Sequence, residues 1–427
     1  MNEVLRNGRL GGHDPFELAE RFGTPFYVYD LDVVTRQVDA LRGVLPATFD
    51  LAYAVKANPN LAVLRHLGDL GLGADVASGG ELRHVLRAGF SEDRVVFTGP
   101  GKRDEELTAA VEAGVRVVTV ESPGELRRLA RIAEGLGRCQ PILLRAAVPE
   151  PAGTRRDALP GVDITGKFGM DVADLRAAAA EAVASAWLEP LGLHAFGASN
   201  VADAAILAAH VEAAVDAAVE LAASAGFELR LVDAGGGLGI PYAAGDPALD
   251  LHALGIRLAA LARRLSASPV TQAVRVLLEP GRFLVGASGA YVARVVDSKS
   301  MNGRPVVILD GGIHHVLRPV LVGREQRIAI LTGSAAATGF DSASGRESVM
   351  IAGPLCTGLD VFARAAAIAP PDPGDLVAVL DVGAYGATES MPFFLSHPLP
   401  PEIVVRGGEA WLARPRVDPD TWLEWQA

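Results

Sequence analysis

A lysine closes an apolar run in "AYAVKAN" (52–58), where burying an unpaired ammonium is very costly. Lys56 must either reach water along its stem or be used on something. Other residues bear on the choice. "DAGGGLG" (233–239) places three glycines in a row, whose bare backbone N–H groups can come close to a phosphate. "EPGR" (279–282) supplies a carboxylate and a guanidinium, and Ser199 and Arg145 add a hydroxyl and a second cation suited to anion binding. Each has a plain alternative: a solvent-seeking lysine, a tight turn, a loop carboxylate Glu279 paired with Arg282. Together they are the parts needed by a phosphate-bearing aromatic cofactor, with Lys56 as a Schiff-base lysine.

The elements that must position them are legible as apolar runs. Eight β-type runs, "FDLAYAVK", "ADVAS", "RVVFTG", "VRVVTVES", "PILLRAAV", "LGLHAFGAS", "LRLVDAGGG" and "AVRVLLEPG", alternate with helical patterns such as "GGELRHVLRAGF" and "SPGELRRLARIAEGLG". Strict alternation over roughly 250 residues predicts a (β/α)8 barrel in preference to a doubly wound sheet. A barrel puts its chemistry at the C-terminal ends of its strands. Lys56, Asp75, Arg145, Ser199, the triple glycine and EPGR all fall at or near such ends and converge on one mouth. From about residue 283 the style changes to short strand-like runs separated by glycine and proline turns. The expected organisation is therefore an α/β chain: a barrel over 26–282, and a β domain, sandwich or barrel, formed by 283–427 and completed by 1–25.

Composition bounds the rest. The chain has 427 residues, half of them hydrophobic, and a net charge of −12, which argues against nucleic-acid binding. The most apolar stretch, "AAHVEAAVDAAVELAASAG" (208–226), carries His210, Glu212, Asp216 and Glu220 and reads as an alanine-rich helix, not a membrane span. The N-terminal residues lack the apolar core of a signal peptide. Two cysteines, Cys139 and Cys356, give no disulfide framework, so a reducing cytoplasm is the expected compartment.

Across nearly its whole length the chain resembles the fold-type III, alanine-racemase-like pyridoxal-phosphate decarboxylases, the family of diaminopimelate and ornithine decarboxylases. The resemblance is carried by "YAVKANPN", "DVASGGEL", "KFGM" (167–170), "DAGGGLG", "EPGRFLV", "RPVL" (318–321), "GPLCTGLD" (353–360) and "GAYG" (383–386). It implies that Lys56 carries pyridoxal 5′-phosphate and that Glu279 faces the pyridine nitrogen. Ser199, Gly236, Gly237, Gly281, Arg282 and Tyr385 would hold the phosphate, Arg145 would lie near the ring hydroxyl, and Asp75 and Glu81 match acidic positions beside the cofactor. It further implies a homodimer with shared active sites, in which the Cys356 loop enters from the partner subunit and Cys356 or Lys56 returns the proton. Apart from that setting, Cys356 reads as a small buried hydrophobe. No metal ligand set is expected, and His194, His314, His315 and His397 are assigned core, supporting or surface duty.

Three departures from the family pattern bear on substrate. Diaminopimelate and ornithine decarboxylases carry an acidic residue directly after the cysteine, whereas here Thr357 follows Cys356. Val322 replaces a tyrosine after the "RPVL" run, although Arg318 stays. Phe196 stands where a histidine commonly packs on the cofactor ring, and a phenyl ring can also stack there. A pocket without that carboxylate is poorly suited to a distal ammonium. The loop and "FLSHPLPPEIVV" (394–405) are similar to members that act on a carrier-bound amino acid, of the 3-methylaspartyl- or glutamyl-carrier type. The expected function is decarboxylation of an acidic amino acid tethered to an acyl carrier protein, with Arg318, Thr357 and Asp360 at the substrate and Arg318, Arg324 and Arg327 as a docking patch. The alternatives are a decarboxylase of free diaminopimelate, ornithine or lysine, and a racemase or non-catalytic cofactor-binding protein.

Overall fold

A computed structural model describes residues 3–147, 166–197, 199–243, 245–323, 326–332, 335–338 and 348–426. The chain divides into two compact units. One comprises Val38–Ile240 and Ala248–Phe283, the other Met1–Gln37, Pro241–Pro247 and Leu284–Ala427.

The first unit is a closed barrel of eight parallel strands paired in chain order. They are Phe49–Ala54, Gly73–Val76, Val95–Phe97, Val117–Val120, Gln140–Arg145, Leu188–His194, Leu231–Asp233 and Arg275–Leu278. The last pairs with the first through Val276↔Phe49 and Leu278↔Leu51. Each of the eight strand-like sequence runs overlaps one of these strands. Ala52, Val96, Val117, Leu143, Leu231 and Leu277 pack together as a buried apolar cluster. Burying each larger side chain there contributes about 1.5–3 kcal/mol.

The intervening helices carry their own start signals. Gly79–Ala88 begins at Ser78, whose hydroxyl accepts from Glu81 N while Glu81 Oε2 accepts from Ala77 N, a reciprocal cap. Pro123–Gly135 starts at Ser122, whose hydroxyl accepts from Glu125 N, and Pro123 enters its first turn. The alanine-rich stretch forms the helix Ala204–Ala225, capped by Asp203 and stopped by a left-handed Gly226. Among the described residues no helix is long and apolar enough to cross a membrane.

The second unit is a branched, mixed ten-stranded sheet. Gly289–Met301 is its spine, pairing with Arg304–Leu309, Leu376–Leu380 and Phe26–Asp30. Here the structure corrects the expected boundary at residue 25. "FYVYD" (26–30) begins no barrel strand; it pairs with Gly289–Val292 on one side and in parallel with Glu402–Val405 on the other. All five of its residues are buried, so its two apolar faces and both edges are satisfied in this sheet. Pro241–Pro247 also belongs to this unit. Its core gathers Val4, Leu10, Phe26, Val28, Val292, Leu331, Leu380 and Ile403.

Candidate active site

Lys56 does not lie within a strand. Its strand stops at Ala54, and the lysine sits in the single helical turn Val55–Ala57 that follows. There its side chain is 47% exposed, with Nζ 3.0 Å from Asp75 Oδ2. Asp75, in the neighbouring strand, is buried and also accepts from the Thr98 hydroxyl. Burial pushes its carboxyl up, with Glu279's charge adding to the effect and Lys56 opposing it.

Behind this pair lies a buried cluster of His194, Asp233 and Glu279, from the ends of the sixth, seventh and eighth strands. Their ligand atoms lie within 4.8 Å of one another, and His194 Nε2 is 3.6 Å from Glu279 Oε2. Burial and the Glu279 charge drive the Asp233 carboxyl well above the usual range, which favours its protonated form. For Glu279 burial acts upward as well, but His194, Lys56 and the Asp233 carboxyl together outweigh it and hold the group at about 2. The cluster is thus one acid and one carboxylate, since two buried like charges cannot both ionise.

The carboxylate fits a pyridinium. Glu279 Oε1 is buried and has no hydrogen-bond partner among the described residues, a costly state that a protonated ring nitrogen would relieve. Gly236 is packed so closely on the Glu279 carbonyl that a Cβ there would overlap it, which brings the glycine turn and the carboxylate together. Gly237 continues this turn at a φ of 92°. Arg282, buried, donates to Ser199 Oγ at 3.2 Å, and Gly281 lies against Ala54 and Ala57 beside the lysine turn. Phe196 Cδ2 is 2.7 Å from the place a Cβ on Gly235 would take, so its ring flanks the same turn. Lys56, Asp75, Phe196, Ser199, Gly236, Gly237, Glu279, Gly281 and Arg282 are all gathered on this rim.

Two expected cofactor neighbours are differently employed. Glu81 caps its helix through Ala77 N. Arg145 is held in a buried ion pair with Glu121 at 2.6 Å, with its guanidinium 4.7 Å from the Phe168 ring centroid. Glu121 also accepts from Gly169 N, so it ties the "KFGM" segment to the fifth strand. Sequence reasoning missed Glu121, Asp233 and Thr98. It also missed Lys102, which is buried and donates to Gly99 O, Thr119 O and Glu125 Oε1. For Glu121 and Asp233 the available signal was a carboxylate at the end of a strand.

The remaining expected residues lie in the sheet unit. In "GPLCTGLD" the backbone turns tightly, with Thr357 N donating to Leu355 O and Asp360 N to Thr357 O. Cys356 is exposed at its tip, which overturns the buried-hydrophobe reading. Asp360 is corrected too. Its side chain is turned inward, and its carboxylate accepts from Ile313 N and Leu355 N, both at 2.8 Å. A Cβ at Gly312 or Gly353 would overlap that carboxylate. It staples the loop and is not offered to a substrate. Thr357 is half-buried, its hydroxyl accepting from Leu359 N.

Arg318 is buried and paired with Glu389 at 3.0 Å, its guanidinium 5.1 Å from the Tyr385 ring centroid. Tyr385 itself has a left-handed backbone, φ 57°, uncommon for a bulky residue. Arg327 pairs with Asp381 at 2.6 Å, and Arg324 lies outside the described residues. The expected docking patch is therefore corrected: its two described members are ion-paired within their own unit.

Comparison with known proteins bears on the whole arrangement. Residues 31–286 match the family described as pyridoxal-dependent decarboxylase, pyridoxal binding domain. A diaminopimelate decarboxylase of Methanothermobacter thermautotrophicus is 34% identical, over 97% of this chain and 94% of its own. An L-glutamyl-(BtrI acyl-carrier protein) decarboxylase of Niallia circulans is 31% identical, over 93% of this chain and 92% of its own. Among solved structures, the diaminopimelate decarboxylase of M. jannaschii in complex with L-lysine is 28% identical with a TM-score of 0.88, covering 100% of this chain and 98% of that one. The chain belongs to the pyridoxal-dependent decarboxylases and is an amino-acid decarboxylase that uses pyridoxal 5′-phosphate.

Proposed function

We propose that the substrate is an acidic amino acid, aspartyl, 3-methylaspartyl or glutamyl, held as a thioester on an acyl carrier protein, and that the enzyme is a homodimer with shared active sites. The observation that carries this reading is the loop after Cys356. Its one carboxylate, Asp360, is spent on two backbone N–H groups, and the residue next to the cysteine is the neutral Thr357. A site without a carboxylate for a distal ammonium should reject diamino acids by several kcal/mol. The glutamyl-carrier decarboxylase among the relatives supports the same substrate class.

In this reading Lys56 tethers the cofactor through its amine, and Asp75 steadies that amine at 3.0 Å. Glu279 would accept from the ring N–H and favour the protonated ring, with Asp233 and His194 beside the Glu279 carboxyl to fix it. Arg282, Ser199 and the N–H groups of Gly236, Gly237 and Gly281 would bind the phosphate, with Tyr385. Arg145, held by Glu121, would serve the ring hydroxyl, and Phe196 would pack on the ring. The cofactor supplies an electron sink for the pair left at Cα when CO2 departs. Cys356 or Lys56 then returns a proton to that carbon, and Arg318 meets the distal end of the substrate.

A second reading, decarboxylation of a free amino acid, is favoured by the 34%-identical diaminopimelate decarboxylase. One experiment separates them. Aspartyl- and glutamyl-loaded carrier proteins are incubated with enzyme and followed by mass spectrometry for loss of CO2, beside free diaminopimelate, ornithine and lysine. Faster turnover of any free diamino acid overturns the carrier reading.

A further inference from the structure

We infer that Glu389 sets the charge preference of the distal substrate site: by neutralising Arg318 it selects substrates whose far end is an uncharged carbonyl and disfavours those ending in a carboxylate. The inference deepens the proposal above and rests on Arg318 meeting the distal end.

The pair is built into the fold, and is no chance encounter of surface chains. Arg318 Nη1 and Glu389 Oε2 are 3.0 Å apart, with side-chain exposures of 9% and 33%. Their chain neighbours are joined as well, since Leu317 N donates to Ser390 Oγ at 3.1 Å. Ser390 Oγ in turn lies 2.8 Å from His315 O and 2.6 Å from Gly386 O, the latter one residue past Tyr385. The Tyr385 and Tyr242 rings lie 5.1 and 6.0 Å from the guanidinium carbon and limit its movement. The main chain therefore brings the carboxylate to the guanidinium, and little side-chain freedom is lost in forming the pair.

The consequence follows from charge. A lone guanidinium at low exposure is a strong carboxylate receptor, through two parallel N–H donors. With Glu389 in place the pair is neutral overall, and Nη1 already donates to a carboxylate. A substrate carboxylate arriving here would bring a second negative charge beside the partly exposed Glu389, which is unfavourable. An ester or thioester carbonyl brings none. The acidic side chain of a free substrate is thus disfavoured, and the same side chain masked as a thioester is accepted.

The test compares ligands that differ only in that charge. The steady-state kcat/KM of the holoenzyme is measured for free L-glutamate and for its γ-methyl ester, in wild type and in Glu389→Gln, which keeps size and removes charge. Wild type should prefer the ester. Glu389→Gln should raise the glutamate-to-ester ratio tenfold or more, chiefly through KM. A ratio unchanged within threefold, or an equal loss on both substrates, would overturn the inference. If wild type acts on diamino acids and not on these, the carrier reading fails. Charge selection is then read independently, as the ratio of inhibition constants for glutarate and its monomethyl ester, with the same tenfold criterion. Glu389→Ser serves as a second variant, and loss of folded protein in both would make the pair a requirement of the fold and overturn the inference.

Discussion

Glu279 and Asp233 show how a single proton is placed by surroundings. Both are buried at strand ends, yet one is driven up by burial and its neighbour's charge while the other is held at about 2. Each keeps one buried oxygen without a hydrogen-bond partner among the described residues, Glu279 Oε1 and Asp233 Oδ2, and the ionised one, on Glu279, is the acceptor a ring N–H would need. Glu279→Gln should bind the cofactor and lose about 10²-fold or more in kcat, on the scale seen when one preorganised electrostatic partner is removed; single-turnover kinetics at saturating cofactor measure this. At Lys56 the expectation is covalent. Borohydride treatment of wild type should leave the cofactor attached to the Lys56 peptide after denaturation and digestion, and Lys56→Ala should leave no attached cofactor. A reducible attachment in the variant would displace Lys56 from its role.

At the scale of elements, the loop carrying Cys356 owes its shape to Asp360, whose two hydrogen bonds and close fit against Gly312 and Gly353 leave little room for another arrangement. Asp360→Ala leaves two buried N–H donors unpaired, at about 1–3 kcal/mol each. It should lower the melting temperature and impair kcat more than KM for the natural substrate, and a variant with wild-type stability and rate would refute the staple. This residue also shows where sequence reading stops. The letters C-T-G-L-D reveal a carboxylate four positions after the cysteine but not which way it points, and a substrate role is what the letters alone suggest. The eight barrel strands were legible because each is an apolar run bounded by glycine, proline or a charge. "FYVYD" looks the same and falls within the expected barrel bounds of 26–282, yet strand-like letters do not name the sheet that receives the strand. Asp233 was hidden in a motif read for its glycines. Glu121 and Lys102 were hidden because the partners that justify their burial are 24 and 23 residues away.

Two expectations belong to the whole molecule. If sites are shared between subunits, mixing Lys56→Ala with Cys356→Ala chains should restore roughly a quarter of the sites, the arithmetic of random pairing in a two-fold dimer. No recovery, with subunit exchange shown by mass, would count against sharing. The second concerns acid. His314 is buried with neither ring nitrogen hydrogen-bonded among the described residues, its ring 3.7 Å from that of His315 and 4.7 Å from that of His397. Burial, reinforced by His397, depresses it to about 4, and burial depresses His315 as well. Because these folded-state values lie below the unfolded one, the unfolded chain takes up protons first, and stability falls as pH drops from about 6.5 toward 4. His314→Leu should flatten the decline in melting temperature between pH 7 and pH 5, by an amount equivalent to about 2 kcal/mol at most. An identical pH slope in wild type and variant would remove His314 from the acid response.

The pairing of Phe26–Asp30 with Glu402–Val405 carries a consequence for biosynthesis. The ribosome delivers Phe26–Asp30 early and its parallel partner some 375 residues later, at roughly 5–20 residues per second. For tens of seconds the nascent chain must carry a largely apolar strand whose neighbours do not yet exist, while the eight barrel strands emerge and can close on one another. A chain stalled before residue 402 would keep that strand's edge unpaired, so translation arrest in the last few dozen codons should yield a product prone to aggregation or capture by chaperones even after its barrel has formed.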